Sequence, residues 1–377
     1  MRQGIAIAGA GLTGATIARC LADAGRTVTV FDPRPHVAGN CHTDRDAETG
    51  VMVHRYGPHI FHTDSARVWD FVNRFATFES YLHRVRAISQ GRSYQLPINL
   101  STLRTFFGVE FDSDSARRFV AERASPYANR TDDTFESAAL RTVGAELYEA
   151  FFRGYTNKQW GRSPAELPAS VFARLPVRYV EDDSYFDHPH QGVPRHGYTA
   201  MVNSMLDHSA IELELATALD PGDRDRFEHV VWTGPLDEFF GCRLGNLTYR
   251  TLDFTHERFT GDRQGCAVVN HCDIDIPQTR STEHVHFAPW EQHHATIVTT
   301  EVARAHEPGD IPYYPVRLAG EEARLDAYLR LADQVKDVTF AGRLGLFRYL
   351  DMDRAIDEAL SVADRLRVRF AGVSGHD

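Results

Sequence analysis

Six residues near the start of the chain have the types and spacing of a phosphate-binding turn. Gly9-Ala10-Gly11-Leu12-Thr13-Gly14 reads G-x-G-x-x-G. The run before it, 4–8, reads as a buried strand, and residues 14–24 place Ile17, Ala18, Leu21 and Ala22 on one helical face. In that setting Gly9 permits the tight turn, Gly11 lets backbone approach a pyrophosphate, and Gly14 lets helix pack closely on strand. The helix start, at Leu12 and Thr13, offers N–H groups and a partial positive charge to a diphosphate. Gly25 closes the helix, 27–31 is the next strand, and Asp32 ends it at the spacing of an acid that accepts from a ribose hydroxyl. The glycine turn alone could belong to any α/β protein. Strand, turn, helix and acid together predict a dinucleotide-binding unit, which NAD and FAD would fit equally.

The rest of the chain must hold that unit and add to it. Its 377 residues suffice for two or three domains, and 42% hydrophobic with 25% charged residues is the balance of a soluble globular protein. A net charge of −11 argues against nucleic acid or an anionic membrane as partner. No apolar run approaches the ~18 residues of a membrane span. The five cysteines include no C-x-x-C pair, so neither a zinc site nor a disulfide framework is expected, and a cytoplasmic protein is. Residues 65–80 form an amphipathic helix through Val68, Trp69, Phe71, Val72 and Phe75. Residues 84–96 form a strand pair about Gln90-Gly91, and 101–174 are dominated by helical patterns. A strand at 227–233 is followed by β-rich runs at 265–269, 283–287 and 295–300, which predict an antiparallel sheet. Helix 321–336, strand 338–341 and helix 353–367 return to the pattern of the N-terminal unit.

Further motifs carry a family resemblance. Ala38-Gly39-Asn40 resembles the second glycine-rich turn of glutathione-reductase-like flavoproteins, and no second G-x-G-x-x-G exists for a nicotinamide nucleotide, so FAD is favoured. Then follow Tyr56-Gly57-Pro58-His59-Ile60-Phe61-His62-Thr63, Leu96-Pro97-Ile98-Asn99-Leu100 and Phe151-Phe152-Arg153-Gly154-Tyr155-Thr156-Asn157-Lys158-Gln159-Trp160-Gly161. Arg174-Leu175-Pro176-Val177-Arg178 precedes Tyr185-Phe186. Thr233-Gly234-Pro235, Tyr249-Arg250, Thr279-Arg280, Glu283-His284, Pro312-Tyr313-Tyr314-Pro315, Gly342-Arg343-Leu344 and Tyr349-Leu350-Asp351-Met352 complete the series. In this order, from about 5 to 365, they closely resemble bacterial UDP-galactopyranose mutase.

That resemblance implies an α/β fold: a Rossmann-like FAD-binding domain from 1–80, 203–240 and 337–377, a helical-bundle insertion at 101–173 with a mobile substrate loop, and an antiparallel β-sheet domain from 81–100, 174–202 and 241–336. It implies interconversion of UDP-galactopyranose and UDP-galactofuranose, in which N5 of reduced FAD is the nucleophile at the anomeric carbon and no net redox change occurs. It also implies an external reductant such as NAD(P)H, a homodimer, and a product used in cell-wall polysaccharide. By the family's motifs, Arg174 and Arg280 bind the substrate diphosphate, for which a guanidinium is suited. His62 lies beside the flavin, unless it is an ordinary core histidine; His59 and His83 are weaker candidates. Phe151, Phe152, Tyr155, Thr156, Trp160 and Tyr185 match the uridine pocket, although helical core explains Phe151 nearly as well. Trp160 is expected in the mobile loop. Tyr314, Tyr349 and Asp351 match the sugar and phosphate end, and Asp351 also suits the N-cap of the last helix. Arg250, Asn270 and Glu301 fall in substrate-site motifs without a separate step. Gly9, Gly11, Leu12, Thr13, Gly14, Asp32, Gly39, Asn40, His59, Ile60, Arg343, Tyr349, Asp351 and Met352 are the expected cofactor contacts.

The chain departs from the family pattern at three places. Ala38 replaces a second glycine, and Phe347 replaces a tyrosine. Leu82, just before His83, stands where Asn is expected, which removes a polar contact near the sugar or flavin. The Leu82 change leaves open the same ring contraction on another nucleotide sugar, a dTDP-deoxyhexose or UDP-N-acetylgalactosamine. An amine-oxidase-like oxidoreductase and a flavin-binding protein without catalysis are the readings from other classes.

Overall fold

The structure is a computed structural model that describes residues 3–172, 176–317 and 321–371. Ile5, Ala6 and Ile7 are all fully buried, as in a strand covered on both faces. They belong to Gln3–Ala8, the middle of a five-stranded parallel sheet ordered Ile211–Leu215, Val28–Asp32, Gln3–Ala8, Phe227–Trp232, Val338–Phe340. One face packs on helices Leu12–Asp23, Gly197–Leu206 and Met352–Ala371 through Ile17, Leu21, Met201, Ile356 and Leu360. The other carries Ala6, Val230, Trp232 and Phe239. Thr233 and Gly342 follow neighbouring strands, so the turns after three strands meet at the carboxyl edge of the sheet, where ligands of such folds bind.

The second sheet has seven strands, ordered Tyr314–Pro315, Tyr249–Thr260, Ala295–Ala305, Arg280–Glu283, Val268–His271, Val85–Ser89, Arg92–Leu96. It is antiparallel except at one junction, where Val268–His271 runs parallel to Val85–Ser89. Those two strands come from opposite sides of the helical insertion, so no hairpin constrains their direction. The insertion, with helices Leu100–Phe107, Ser113–Ala124, Phe135–Leu147 and Gly154–Trp160, has a core of its own around Leu103, Val120, Phe135 and Leu147. Among the described residues no helix is long and apolar enough to cross a membrane.

Several expectations need correction. The helix expected over 65–80 is Ala66–Asn73; Phe78–Ser80 pairs instead with His190–Pro194, a long-range partner that local periodicity cannot reveal. Of the run 283–287 only Glu283 is in a strand, and His284–Phe287 is a 3-10 turn. Trp160 ends a helix, closed by Gly161 with φ 63°, rather than lying in a loop. The boundary expected at 203 falls inside Gly197–Leu206, which packs in the core of the parallel sheet.

Candidate active site

At the carboxyl edge of the parallel sheet the chain presents main chain. Gly9 has φ 109°, and a Cβ there would overlap the Thr233 hydroxyl, which donates to Ala8 O at 2.6 Å. A Cβ on Gly14 would overlap Gly9 O. Helix Leu12–Asp23, whose Leu12 and Thr13 are buried, starts at Gly11 with no side-chain cap. Its first N–H groups are therefore left for an anion. Gly39 faces Gly11, and a Cβ on it would lie 3.3 Å from Gly11 Cα. Asp32, 5% exposed, braces this cradle: Oδ2 accepts from Ala10 N at 2.8 Å and Oδ1 from Arg34 N at 2.9 Å. Gly342 closes on Thr13, with 3.0 Å from its would-be Cβ to Oγ1. Arg343 next to it lies 4.7 Å over the Tyr349 ring and donates to Leu350 O at 2.6 Å. Asp351 O accepts from Ala355 N at 2.9 Å, so Asp351 occupies the cap position of Met352–Ala371 and Met352 begins the helix.

Arg34 is a residue that sequence reasoning missed. Its Nη2 donates to Asn40 Oδ1 at 2.9 Å, its guanidinium lies 4.9 Å from the Tyr56 ring centre, and Nη1 is buried without a partner among the described residues. The available signal was its place two residues after Asp32. A bare helix start, glycines that admit no Cβ and an orphaned buried guanidinium nitrogen suit a dinucleotide diphosphate and its ribose.

The other end is built by side chains brought together in sheet register. Asn270 pairs with Arg280, Arg280 with Glu301, and Glu301 with Phe254, which sets them in one row on one face. Arg250 lies four residues from Phe254 on the same face and pairs with Tyr314. Arg280 Nη2 donates to Glu301 Oε1 at 3.0 Å, with Glu301 2% exposed. Burial works against the Arg280 charge, but Glu301, together with Tyr155 and Tyr314, more than offsets it, so the guanidinium stays a firmly held cation. Among the described residues, Arg280 Nε and Glu301 Oε2 are both buried without partners. The insertion lies over this face: Arg250 donates to Gln159 O and Lys158 O, both at 3.1 Å, and the three N–H groups of Lys158 Nζ are shared among four carbonyls, His271, Asp273, Ile276 and Gln278, at 2.8–3.0 Å.

Tyrosines wall this end. Tyr314 stacks on Tyr349 with centroids 6.0 Å apart, and Trp160 is 6.1 Å from Tyr314. Burial raises the Tyr155, Tyr185 and Tyr314 hydroxyls, all of which feel the Arg280 charge. Phe151 and Phe152 lie in the insertion core, Phe151 edge-on to Tyr94 at 5.1 Å and Phe152 edge-on to Phe172 at 5.4 Å. They sit in a π-helical turn, Tyr148–Arg153, which leads into the helix of Tyr155 and the buried Thr156. Arg174 lies outside the described residues.

Histidines occupy the ground between the two ends. His62 stacks on Phe186 at 3.7 Å, and its Nδ1 is 2.8 Å from His188 Nδ1, so one ring donates and the other accepts. Burial and then His188 lower its pKa, against Asp351 and Asp353, which favours the neutral ring. His59 is pushed down to about 4 by burial, with Arg343 and Arg280 acting in the same direction; its Nδ1 meets Gly57 O at 2.8 Å. Ile60 is buried beside Val193 and Phe287. The concern over Leu82 does not hold. Tyr81, His83, Val85 and Ala87 are buried while Leu82, Arg84 and Arg86 are exposed, so Leu82 points away and His83 supplies the polar group inside.

The family model for UDP-galactopyranose mutase matches residues 150–349, and one for an NAD(P)-binding Rossmann-like domain matches 7–75. A probable UDP-galactopyranose mutase of Klebsiella pneumoniae is 50% identical over 96% of this chain and 94% of its own. A dTDP-fucopyranose mutase of Escherichia coli is 44% identical over 95% and 97%. The solved structure of a reduced UDP-galactopyranose mutase superposes with TM-score 0.77 at 15% identity, covering 97% of this chain and 94% of that one, which supports the fold.

Proposed function

The chain belongs to the UDP-galactopyranose mutase family, and on that premise we propose that it interconverts UDP-galactopyranose and UDP-galactofuranose with no net redox change. The observation that carries this reading is the Arg280–Glu301 pair, its carboxylate buried and Arg280 Nε unpartnered among the described residues, facing the tyrosine-walled space beside a side-chain-free glycine cradle. A diphosphate that leaves and returns gathers negative charge, and a fixed, desolvated guanidinium stabilises it without reorganising. Arg280 and Arg174 take that role, and Glu301 holds Arg280 in place. Gly9, Gly11, Gly14 and the start of the first helix receive the cofactor diphosphate. Asp32, Arg34, Gly39 and Asn40 serve its adenosine side, and Arg343, Asp351 and Met352 its flavin side. Bound there, reduced FAD would supply a nucleophilic nitrogen for the anomeric carbon. His62, uncharged, orients the cofactor through its second ring nitrogen. Tyr155, Trp160, Tyr185 and Tyr314 exclude water and offer ring faces to the nucleotide sugar. A homodimer and an NAD(P)H-type reductant belong to this proposal on the family resemblance alone.

Dithionite-reduced, FAD-loaded protein is expected to convert UDP-galactofuranose to UDP-galactopyranose over many turnovers per reduction. No conversion by protein with FAD bound and reduced rejects the reading, and reductant consumed in step with product places it among oxidoreductases. The dTDP-fucopyranose mutase relative supports a second reading, the same ring contraction on a dTDP-deoxyhexose. A panel of the two nucleotide sugars under identical reduction separates them.

A further inference from the structure

His188 is a half-buried side chain to which the reading above gives no task. It lies in the turn just before strand His190–Pro194, which pairs with Phe61–Thr63 so that Gln191 stands opposite His62. His188 Nδ1 is 2.8 Å from His62 Nδ1, with the ring centroids 4.8 Å apart. Phe186, from the same turn, stacks on the His62 ring at 3.7 Å. Gln191 Nε2 donates to His188 O at 2.8 Å and to Phe186 O at 3.2 Å, so one side chain pins the turn that supplies both neighbours. Asp187, between them, is paired with Arg178. From the last helix Asp351 and Asp353 act on His62 in the sense opposite to His188, and on its other side His62 is felt by His83.

Between two nitrogens at that distance there is room for one proton. A neutral imidazole has one N–H and one bare nitrogen, so the ring that donates fixes where the His62 proton sits. If His62 donates, its Nε2 is bare. If His188 donates, His62 Nδ1 is bare and Nε2 carries the proton. The place proposed for His62 decides between the two. A flavin ring has carbonyl oxygens on its edge, and a flavin with a nucleophilic nitrogen is electron-rich. A bare Nε2 would set lone pair against lone pair, whereas Nε2–H donates. That tautomer leaves Nδ1 bare, and a bare nitrogen within the fold calls for a donor. His188 Nδ1 stands where that donor must be. The partner of one ring nitrogen in this way sets the state of the other.

We propose that His188 is a positioning residue: it donates from Nδ1 to His62 Nδ1 and so keeps His62 protonated on Nε2, the nitrogen turned to the cofactor. This rests on the reading that places His62 beside a flavin. Ring-nitrogen NMR of FAD-loaded, reduced protein with ¹⁵N-labelled histidine tests it without turnover, the His62 signals being those lost in His62→Gln. At about pH 8, where histidines are neutral, wild type is expected to show His62 protonated on Nε2. His188→Asn, whose amide offers a donor in the same place, is expected to keep that tautomer. His188→Asp offers only an acceptor, and is expected to draw the proton to Nδ1 and strip Nε2. With a nucleotide sugar as substrate, His188→Asp is expected to lower kcat about tenfold and to leave KM within about twofold, and His188→Asn to restore kcat. If the aspartate variant does not fold, the wild-type spectrum and His188→Asn still decide. Protonation of wild-type His62 on Nδ1, the same His62 tautomer in His188→Asp as in wild type, or equal kcat in the Asp and Asn variants overturns the proposal. A flavin absorption spectrum unchanged in His62→Gln rejects instead the placing of His62 beside the flavin.

Discussion

At the end of the site proposed for the cofactor the surface is main chain, drawn from Gly9–Gly14 and from turns at Gly39 and Gly342. At the end proposed for the sugar it is side chains, brought from strands 268–271, 280–283 and 295–305, the helix over 154–160 and the segment 81–84. The first end works by absence: no Cβ, no cap, an uncovered helix start. The second works by presence, with a half-buried cation held by a buried anion and hydroxyls and imidazoles kept neutral by burial. Substitutions at the two ends should therefore fail in different ways. One loses the cofactor, and the other keeps the cofactor and loses the chemistry.

Arg280→Ala should have the largest effect. Removing a preorganised group opposite developing charge costs about 10²–10³-fold in turnover. It also leaves Glu301 buried and unpaired, a loss of about 3–5 kcal/mol in unfolding free energy. Flavin absorbance of the purified variant should be unchanged. Arg280→Met with Glu301→Gln should recover much of the stability in a urea titration and none of the turnover. Flavin loss from Arg280→Ala would erase the distinction between the ends.

Gly14→Ala is the counterpart at the cofactor end. Its Cβ would overlap Gly9 O, which is backbone and cannot swing aside. The strain should cost about 1–3 kcal/mol, and the protein should purify colourless. A yellow protein with wild-type stoichiometry would show that the cradle can open, contrary to the fit argued here.

The same difference explains what could be read from the chain. The cradle is local: three glycines, a strand, a helix and Asp32 fall within a few dozen residues, and each has a periodicity or a backbone requirement. The row Asn270–Arg280–Glu301 is set by strand register, and neither periodicity nor spacing indicates that these three residues align. Family motifs named them, but not the ion pair between them. Leu82 and His83 were confused because the motif reads as letters, while the alternation of buried and exposed positions decides which letter faces inward. Arg34 escaped because a lone arginine among 41 basic residues carries no pattern until Asn40 and Tyr56 are placed around it. Phe78–Ser80 read as helix because its partner strand lies more than a hundred residues away.

The neutral imidazoles give a smaller effect with a sign. Burial pushes His54 and His83 down to about 3. Each is uncharged in the folded protein at a pH where the unfolded chain, near 6.5, has taken up a proton. Their contribution to stability is complete above about pH 6.5 and is lost as pH falls from there towards 3. Between pH 6 and 4 each should steepen the decline by up to about 1.4 kcal/mol per pH unit. Urea midpoints measured across that window should therefore fall with acidity, and less steeply in His83→Asn. An unchanged slope in that variant would mean that His83 is already charged in the fold, which would remove the neutral character assigned to the sugar end.

The least effect should come from Ala38, and it would sharpen the account of the cradle. Ala38 has φ 73°, ψ 0°, a left-handed conformation that suits glycine, beside Gly39 at φ 53°. Its N–H donates to Ala10 O at 2.9 Å, so the turn is tied to the phosphate-binding loop and cannot relax on its own. The backbone conformation disfavours alanine, whereas glycine has more freedom to lose on folding. The two effects oppose each other, and the net gain for Ala38→Gly should be a few tenths of a kcal/mol to about 1 kcal/mol. A thermal melt of flavin-loaded protein should shift upward slightly, with flavin affinity unchanged. A downward shift would mean that the Ala38 methyl, 1% exposed in the core beside the first helix, contributes more by packing than its backbone loses by strain. The cofactor end would then depend on a side chain after all.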